Sequence, residues 1–338
     1  MNKRLAFMIG DPAGIGPEIT IKALDEFVFN SDIQLLLVGD RRSFDRAKRV
    51  VGSDVNPENI IEDQIEFSTS QFVFLDIHAK KSSVPIGVLP ETEPPKIGEI
   101  SEEAGSSVYL SIVKILDLID AKLVGGFVFA PFNKESMKLG GSPFASEFLL
   151  FIDHFNVTGV HGEINILDDL WITRVTSHIA IRDVADLIKK QRIFETIKFL
   201  DREMKKYGIA NPKIAVSALN PHGGEQGMFG DEEITEIGPA IRRAVDEGVN
   251  AVGSYPCDTV FRRIENEQLD GIISMYHDQS QVATKLLGFD RGITFHGGMG
   301  VPIATCAHGT AFDIAGTGKA NAGALKNALE IVSRIIAQ

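Results

Sequence analysis

The sequence predicts an α/β protein: two α/β/α domains around a largely parallel sheet. Short, almost continuously apolar runs alternate with longer amphipathic segments along the chain, the pattern of strands covered on both faces by helices. The 338-residue length holds two such domains at roughly 100–200 residues each. An apolar fraction of 44% is enough to build two cores and excludes a disordered chain.

Residues 5–9 form the first expected strand. The basic lead-in and the run LAFMI superficially look like a secretory leader, but the run stops at Gly10-Asp11-Pro12 without a cleavage site. The expectation is therefore a strand in a cytoplasmic protein, and no run approaches the ~18 apolar residues that span a bilayer. Pro17 suits a helix start at 17–24, where its missing N–H is not needed. Strand 34–38, helix 41–50 and strand 72–75 follow. Pro85, Pro90, Pro94 and Pro95 each fix φ and restrain the preceding residue, so 85–96 reads as a loop. Ser101 caps a helix over 101–118, with Glu102 and Glu103 in its first turn. Strands 125–130, 172–176, 213–218, 250–254 and 271–275 then alternate with helices 192–206 and 232–245. The last helix, 320–335, is expected to pack back on the first domain. The domains would be 1–130 with 305–338, and 131–304, with the active cleft between them.

Charge and cysteine content remove whole classes. With 34 Lys plus Arg against 46 Asp plus Glu, the net charge is −12, so no basic field is available for nucleic acid. An anionic metabolite stays open, since one local cation suffices for it. Cys257 and Cys306 alone make no disulfide framework. Neither GxSxG nor GxxxxGK[ST] occurs, so there is no case for a nucleophile elbow or a phosphate loop. The stretch Gly10–Glu18, GDPAGIGPE, lies at a strand-to-helix handover. It is not a GxGxxG fingerprint; a tight turn and a ligand-approach loop both fit it.

Three of the eight histidines closely follow expected strands: His178, His222 and His277. Ligands gather at the carboxyl ends of strands in open parallel sheets, and three imidazoles arriving there suit a divalent metal. Hydrogen-bonded loop histidines are the plainer alternative. Asp278 could orient an imidazole or touch the ligand, as could Glu225, or either could cap a helix. Lys285, two turns after His277, could face a substrate anion or simply be solvated, and Arg182 has the same two readings. The turn His308-Gly309-Thr310-Ala311, with Asp313 beyond it, could hold an anion or a sugar, or cap a helix.

Taken together, GDPAGIGPE, APFNKE, SHIAIRD, LNPHGGEQGMFGDEE, MYHDQ, LLGF and HGTAFDIAGTGKA, in order from residue 10 to about residue 320, resemble the 4-hydroxythreonine-4-phosphate dehydrogenase family. The resemblance implies an isocitrate/isopropylmalate dehydrogenase-like fold and a homodimer whose active site is completed across the interface. It implies NAD, with NADP open, and one divalent ion: zinc favoured, cobalt, manganese or magnesium open. By the same resemblance His178, His222 and His277 are metal ligands, the third supplied across the interface. Asp278 and Lys285 are catalytic or substrate-site groups, and Gly309, Thr310, Asp313 and Gly318 border the cofactor. The metal would lower the pKa of the substrate alcohol, hydride would pass to the nicotinamide, and Lys285 could return a proton if carboxylate is lost.

Several positions depart from the family pattern. Its Gly-His-Thr-Glu becomes Phe144-Ala145-Ser146-Glu147, leaving Ser146 as a substrate contact, and an aspartate becomes Ala307. An asparagine and an arginine that grip the phosphate become Thr294 and Ile303. Isoleucine offers none of arginine's donors. The expectation from this is a small hydroxylated acid lacking the usual phosphate ester, with His296 supplying a replacement contact. The Gly297-Gly298 pair is similar to a branch acting on a terephthalate-derived cis-dihydrodiol. The alternatives are the family's own vitamin B6 step, a phosphorylated four-carbon sugar acid, or a non-enzymatic small-ligand sensor.

Overall fold

In the computed structural model, residues 3–27, 33–65, 68–78 and 93–338 are described. The chain divides into two units, Met1–Val157 with Met299–Gln338, and Thr158–Gly298. Residues 131–157 and 299–304 thus pack in the first unit, which the sequence reading closed at 130 and reopened at 305. Most of the proline-rich loop, 85–92, lies outside the described residues.

The strands are β1 (Arg4–Met8), β2 (Gln34–Gly39), β3 (Glu58–Ile60), β4 (Phe72–Asp76), β5 (Gly126–Phe129) and β6 (Gly162–Leu167). They continue as β7 (Leu170–Arg174), β8 (Ile214–Ser217), β9 (Ala251–Tyr255), β10 (Gly271–Ser274), β11 (Ile293–Gly297) and β12 (Ile303–Cys306). In the first unit the order is β3-β4-β2-β1-β5-β12, with every pair parallel. In the second unit it is β11-β6-β7-β10-β8-β9. There β7, β10, β8 and β9 run parallel, while β6 is antiparallel to both β7 and β11. The α/β expectation holds, with β6 as the exception to the parallel rule. A two-residue connection makes that exception: Asp168, at φ +55°, adopts the left-handed conformation that a tight hairpin requires.

The first unit's core explains its near-continuous apolar strands. Leu5, Ala6, Phe7 and Met8 of β1 are all fully buried, so both faces of the strand are covered. Helix Glu102–Asp120 starts on Ser101, whose Oγ accepts from the Ala104 N–H at 3.2 Å. Its Val108, Ile112, Ile115 and Ile119 form one stripe in the core, each burial stabilising by roughly 1.5–3 kcal/mol. Gly105 permits helix Lys134–Leu139 to approach it closely: a Cβ at 105 would stand 1.6 Å from the Ser136 carbonyl oxygen. The expected helix at 232–245 appears as a π-turn, Glu233–Ile237, followed by helix Gly238–Asp246, because Pro239 has no N–H to continue the ladder.

Candidate active site

In the second unit β7, β10 and β8 are adjacent and parallel. His178, His277 and His222 therefore all emerge beyond carboxyl ends of neighbouring strands. The rings of His178 and His277 lie 5.7 Å apart, centroid to centroid. His277 opens helix His277–Gly288, and its Nδ1 is 2.7 Å from Asp278 Oδ1, which leaves Nε2 for a ligand. His222 occupies an exposed left-handed turn, φ +54°. A buried carboxylate fixes that turn: Glu233 accepts from the Leu219 and Asn220 N–H groups at 2.8 Å each, and from Asn220 Nδ2 at 3.0 Å. Among the described residues no group of three or more His, Cys, Asp or Glu side chains is arranged to hold a metal. The structure thus brings His178 and His277 together and leaves His222, Glu225 and Arg182 outside any such group.

Behind this face runs a polar network that the sequence reading missed. Arg174, on β7, donates from Nε to Ser177 Oγ (3.0 Å), from Nη1 to Asn165 Oδ1 (2.8 Å) and from Nη2 to Glu163 Oε2 (2.6 Å). Gln281 also donates to Asn165 Oδ1, at 2.6 Å, and Asn165 Nδ2 donates to Thr294 Oγ1 at 3.3 Å. Burial works against the Arg174 charge, lowering its pKa, and Glu163 opposes that shift. Ser177 precedes His178, so the network connects Thr294 to the backbone that carries a candidate metal ligand. The alternation Glu163-Ile164-Asn165-Ile166 followed by Asp-Asp was the available signal for β6. Lys285 is exposed on its helix, whereas His296 is 2% exposed and lies inside the unit.

In the first unit Ser146 caps helix Glu147–His154, its Oγ accepting from the Leu149 N–H. Ile303 is fully buried: on β12 beside Phe127, it belongs to the hydrophobic core. The candidate cofactor residues lie on one loop that rests on the GDPAGIGPE turn. Thr310 O accepts from the Ile15 N–H at 3.0 Å, Glu18 accepts from the Gly316 and Gly318 N–H groups, and Gly309 and Asp313 are exposed. Asp11, itself buried, accepts from the Ala13 N–H (2.8 Å) and the Asn133 N–H (3.1 Å), and burial raises its pKa. Burial pushes both thiols, Cys257 and Cys306, up to about 11. Burial thus disfavours the thiolate at both positions.

Comparison with known proteins gives this geometry its context. The family profile described as "Pyridoxal phosphate biosynthetic protein PdxA" matches residues 31–332. A Pseudomonas aeruginosa protein named "Putative 4-hydroxythreonine-4-phosphate dehydrogenase 2" is 37% identical, covering 98% of this chain and 96% of its own. A Bradyrhizobium diazoefficiens protein named "Putative D-threonate 4-phosphate dehydrogenase" is 33% identical, covering 99% and 97%. The crystal structure of 4-hydroxythreonine-4-phosphate dehydrogenase from Klebsiella pneumoniae superposes with a TM-score of 0.82 at 31% identity, covering 100% and 99%. A terephthalate 1,2-cis-dihydrodiol dehydrogenase from Burkholderia xenovorans gives 0.64 at 24% identity, covering 98% and 97%. That last likeness is one of fold alone.

The chain is thus an NAD(P)-dependent dehydrogenase acting on a CH–OH group. It belongs to the PdxA family of pyridoxal phosphate biosynthetic proteins. One expectation is overturned. A substrate without the phosphate ester was expected from Ala145, Thr294 and Ile303, yet the relatives, matched over at least 96% of their length, are named for phosphate esters. The physical reason is burial: the Ile303 side chain is core packing, so its identity reports on the sheet and says nothing of a phosphate.

Proposed function

We propose that this chain oxidises the secondary alcohol of a small phosphorylated hydroxy acid, such as 4-phosphohydroxy-L-threonine or D-threonate 4-phosphate, passing hydride to NAD(P). The observation that carries the reading is the His178–His277 pair beyond adjacent parallel strands of one chain, not across an interface as the family resemblance implies, with the second ring oriented by Asp278. Two accessible imidazoles, one with its ring tautomer set by a carboxylate, fit a divalent ion. We assign ligation to His178 and His277, with His222, which the folded chain leaves apart from them, as the third group; zinc is favoured, and cobalt, manganese and magnesium are alternatives. When bound, such an ion supplies Lewis-acid polarisation of the substrate oxygens.

The protein's own groups then have separate tasks. Asp278 holds the His277 ring. Lys285 sits exposed on the same helix and offers a cation to an anionic end of the substrate, or a proton if carboxylate is lost. Ser146 and Thr294 are short hydroxyl contacts for orientation, while Gly309, Thr310, Asp313 and Gly318 border the nicotinamide cofactor. A homodimer is part of the reading. Val282, Leu286 and Leu287 on the Lys285 helix, Phe289 just past its end, and Met228 and Phe229 after His222, are exposed apolar groups near candidate ligands in sequence, suited to burial against a second copy.

The test is cofactor reduction with both phosphorylated acids and their dephosphorylated counterparts, after loading with each metal in turn. Turnover confined to the phosphorylated acids supports the proposal. Turnover of only the dephosphorylated ones overturns it. Sedimentation of the same samples checks the dimer.

A further inference from the structure

The helix Gly16–Glu26 grips the loop that the preceding section assigns to the cofactor, and it does so with two charged side chains one turn apart. Glu18 is 2% exposed, and its carboxylate accepts from both the Gly316 and the Gly318 N–H groups, the latter at 2.9 Å. Lys22 Nζ donates to the Gly318 carbonyl at 2.6 Å and the Ala320 carbonyl at 2.8 Å. Gly316 and Gly318 have φ of +79° and +70°. Near-successive N–H groups in such backbone converge to form a concavity that ordinarily receives an anion. Here the anion is a side chain of the protein itself.

We infer that Glu18 and Lys22 are positioning residues for the nicotinamide cofactor. They occupy the inward amides and carbonyls of 316–320 and hold the outward face of the 309–318 loop in its binding shape. The amides of Gly316 and Gly318 are consequently committed to Glu18 and do not bind the cofactor's phosphates. Recognition falls to groups facing outward, among them Asp313 and Gly309, both exposed. The inference rests on the cofactor reading of that loop, so its test must separate the two.

The full-length protein is titrated with NADH by fluorescence, which needs no substrate, and steady-state constants are measured alongside. For Glu18→Gln, with one amide left without its acceptor, the NADH Kd and the KM for NAD(P) rise about tenfold while kcat changes less than about twofold. The KM for the hydroxy acid stays unchanged. Lys22→Met gives a smaller rise, about threefold, and Lys22→Arg, which still donates to both carbonyls, restores the parent values. Asp313→Ala is the control for the cofactor reading and raises the same constants. If Asp313→Ala raises them while Glu18→Gln and Lys22→Met do not, the positioning inference falls and the cofactor reading survives. If none of the three moves NADH binding, the cofactor reading fails and takes the inference with it. A drop in kcat at constant KM also overturns the inference. Should Glu18→Gln not fold, the Lys22→Met and Lys22→Arg pair decides alone.

Discussion

The two units present their candidate ligand groups in different ways. In the first unit these are backbone and small polar groups on a glycine-rich loop, Gly309 and Thr310, with Asp313 beside them and Gly318 held from behind by Glu18 and Lys22. In the second they are long side chains, with His178, His222 and Lys285 all exposed. Beneath the difference lies one shared device. Each unit fixes its loops from inside with a carboxylate that accepts backbone N–H groups: Asp11 and Glu18 in the first, Glu233 in the second. The first unit's loop is thereby complete within one chain. The second unit's imidazoles are oriented but not enclosed, so their final arrangement depends on what binds them.

The comparison breaks first at the imidazoles. His178→Ala and His277→Ala are each expected to lower turnover at least ~10³-fold and to reduce metal content, with little change in unfolding free energy. Metal analysis beside steady-state kinetics checks both. The internal carboxylates should behave in the reverse manner. Asp11→Ala leaves the buried Ala13 amide and the half-buried Asn133 amide without their acceptor and should cost about 2–3 kcal/mol by urea unfolding. Metal content in that variant should stay unchanged. A conservative cut at the misread position is milder. Ile303→Val should cost about 1 kcal/mol and leave the KM for phosphorylated substrates unmoved; a shift in that KM would return Ile303 to the pocket.

The smallest expected effect is one of pH. Asp40 is buried, which alone would raise its pKa, but the His78 imidazole 3.6 Å away, the hydrogen bonds from Arg42 and the positive charge of both hold it below the ordinary carboxylate range. In return the close contact with Asp40 raises His78, with the charge of Asp76 adding and burial and Arg42 opposing. A raised folded pKa means that the His78 contribution is fully present below about 6.5 and fades as pH rises through the folded value. His78→Ala should flatten that limb of the stability profile by no more than about 1 kcal/mol, as read from unfolding across pH.

Most of the parallel strands were legible because burial on both faces makes a continuous apolar run; β12, Ile303–Cys306, is parallel to β5 but only four residues long and was not expected. β6 and β11 were not, since their polar alternate residues feed the Arg174 network and break the run. β3, Glu58–Ile60, is too short to show a period. The three histidines stood out by following strands. The Arg174–Asn165–Gln281 network did not, because Asn165 meets partners 116 and 129 positions away in sequence. Ile303 was misread for another reason: spacing identifies a position along a strand, but burial decides whether its side chain meets a ligand or the core.

The discontinuous first unit also sets an order of synthesis. Its sheet includes β12, paired with β5, and helix Gly323–Ala337 packs against both strands. Residues 158–298 therefore leave the ribosome while the first unit still lacks its last strand and the helix that covers it. The later-numbered unit can fold first. Until that helix emerges, the face of β5 at Gly126, which meets Val332 and Ile336, lacks its native cover, and a chaperone that shields apolar strands would find its target there.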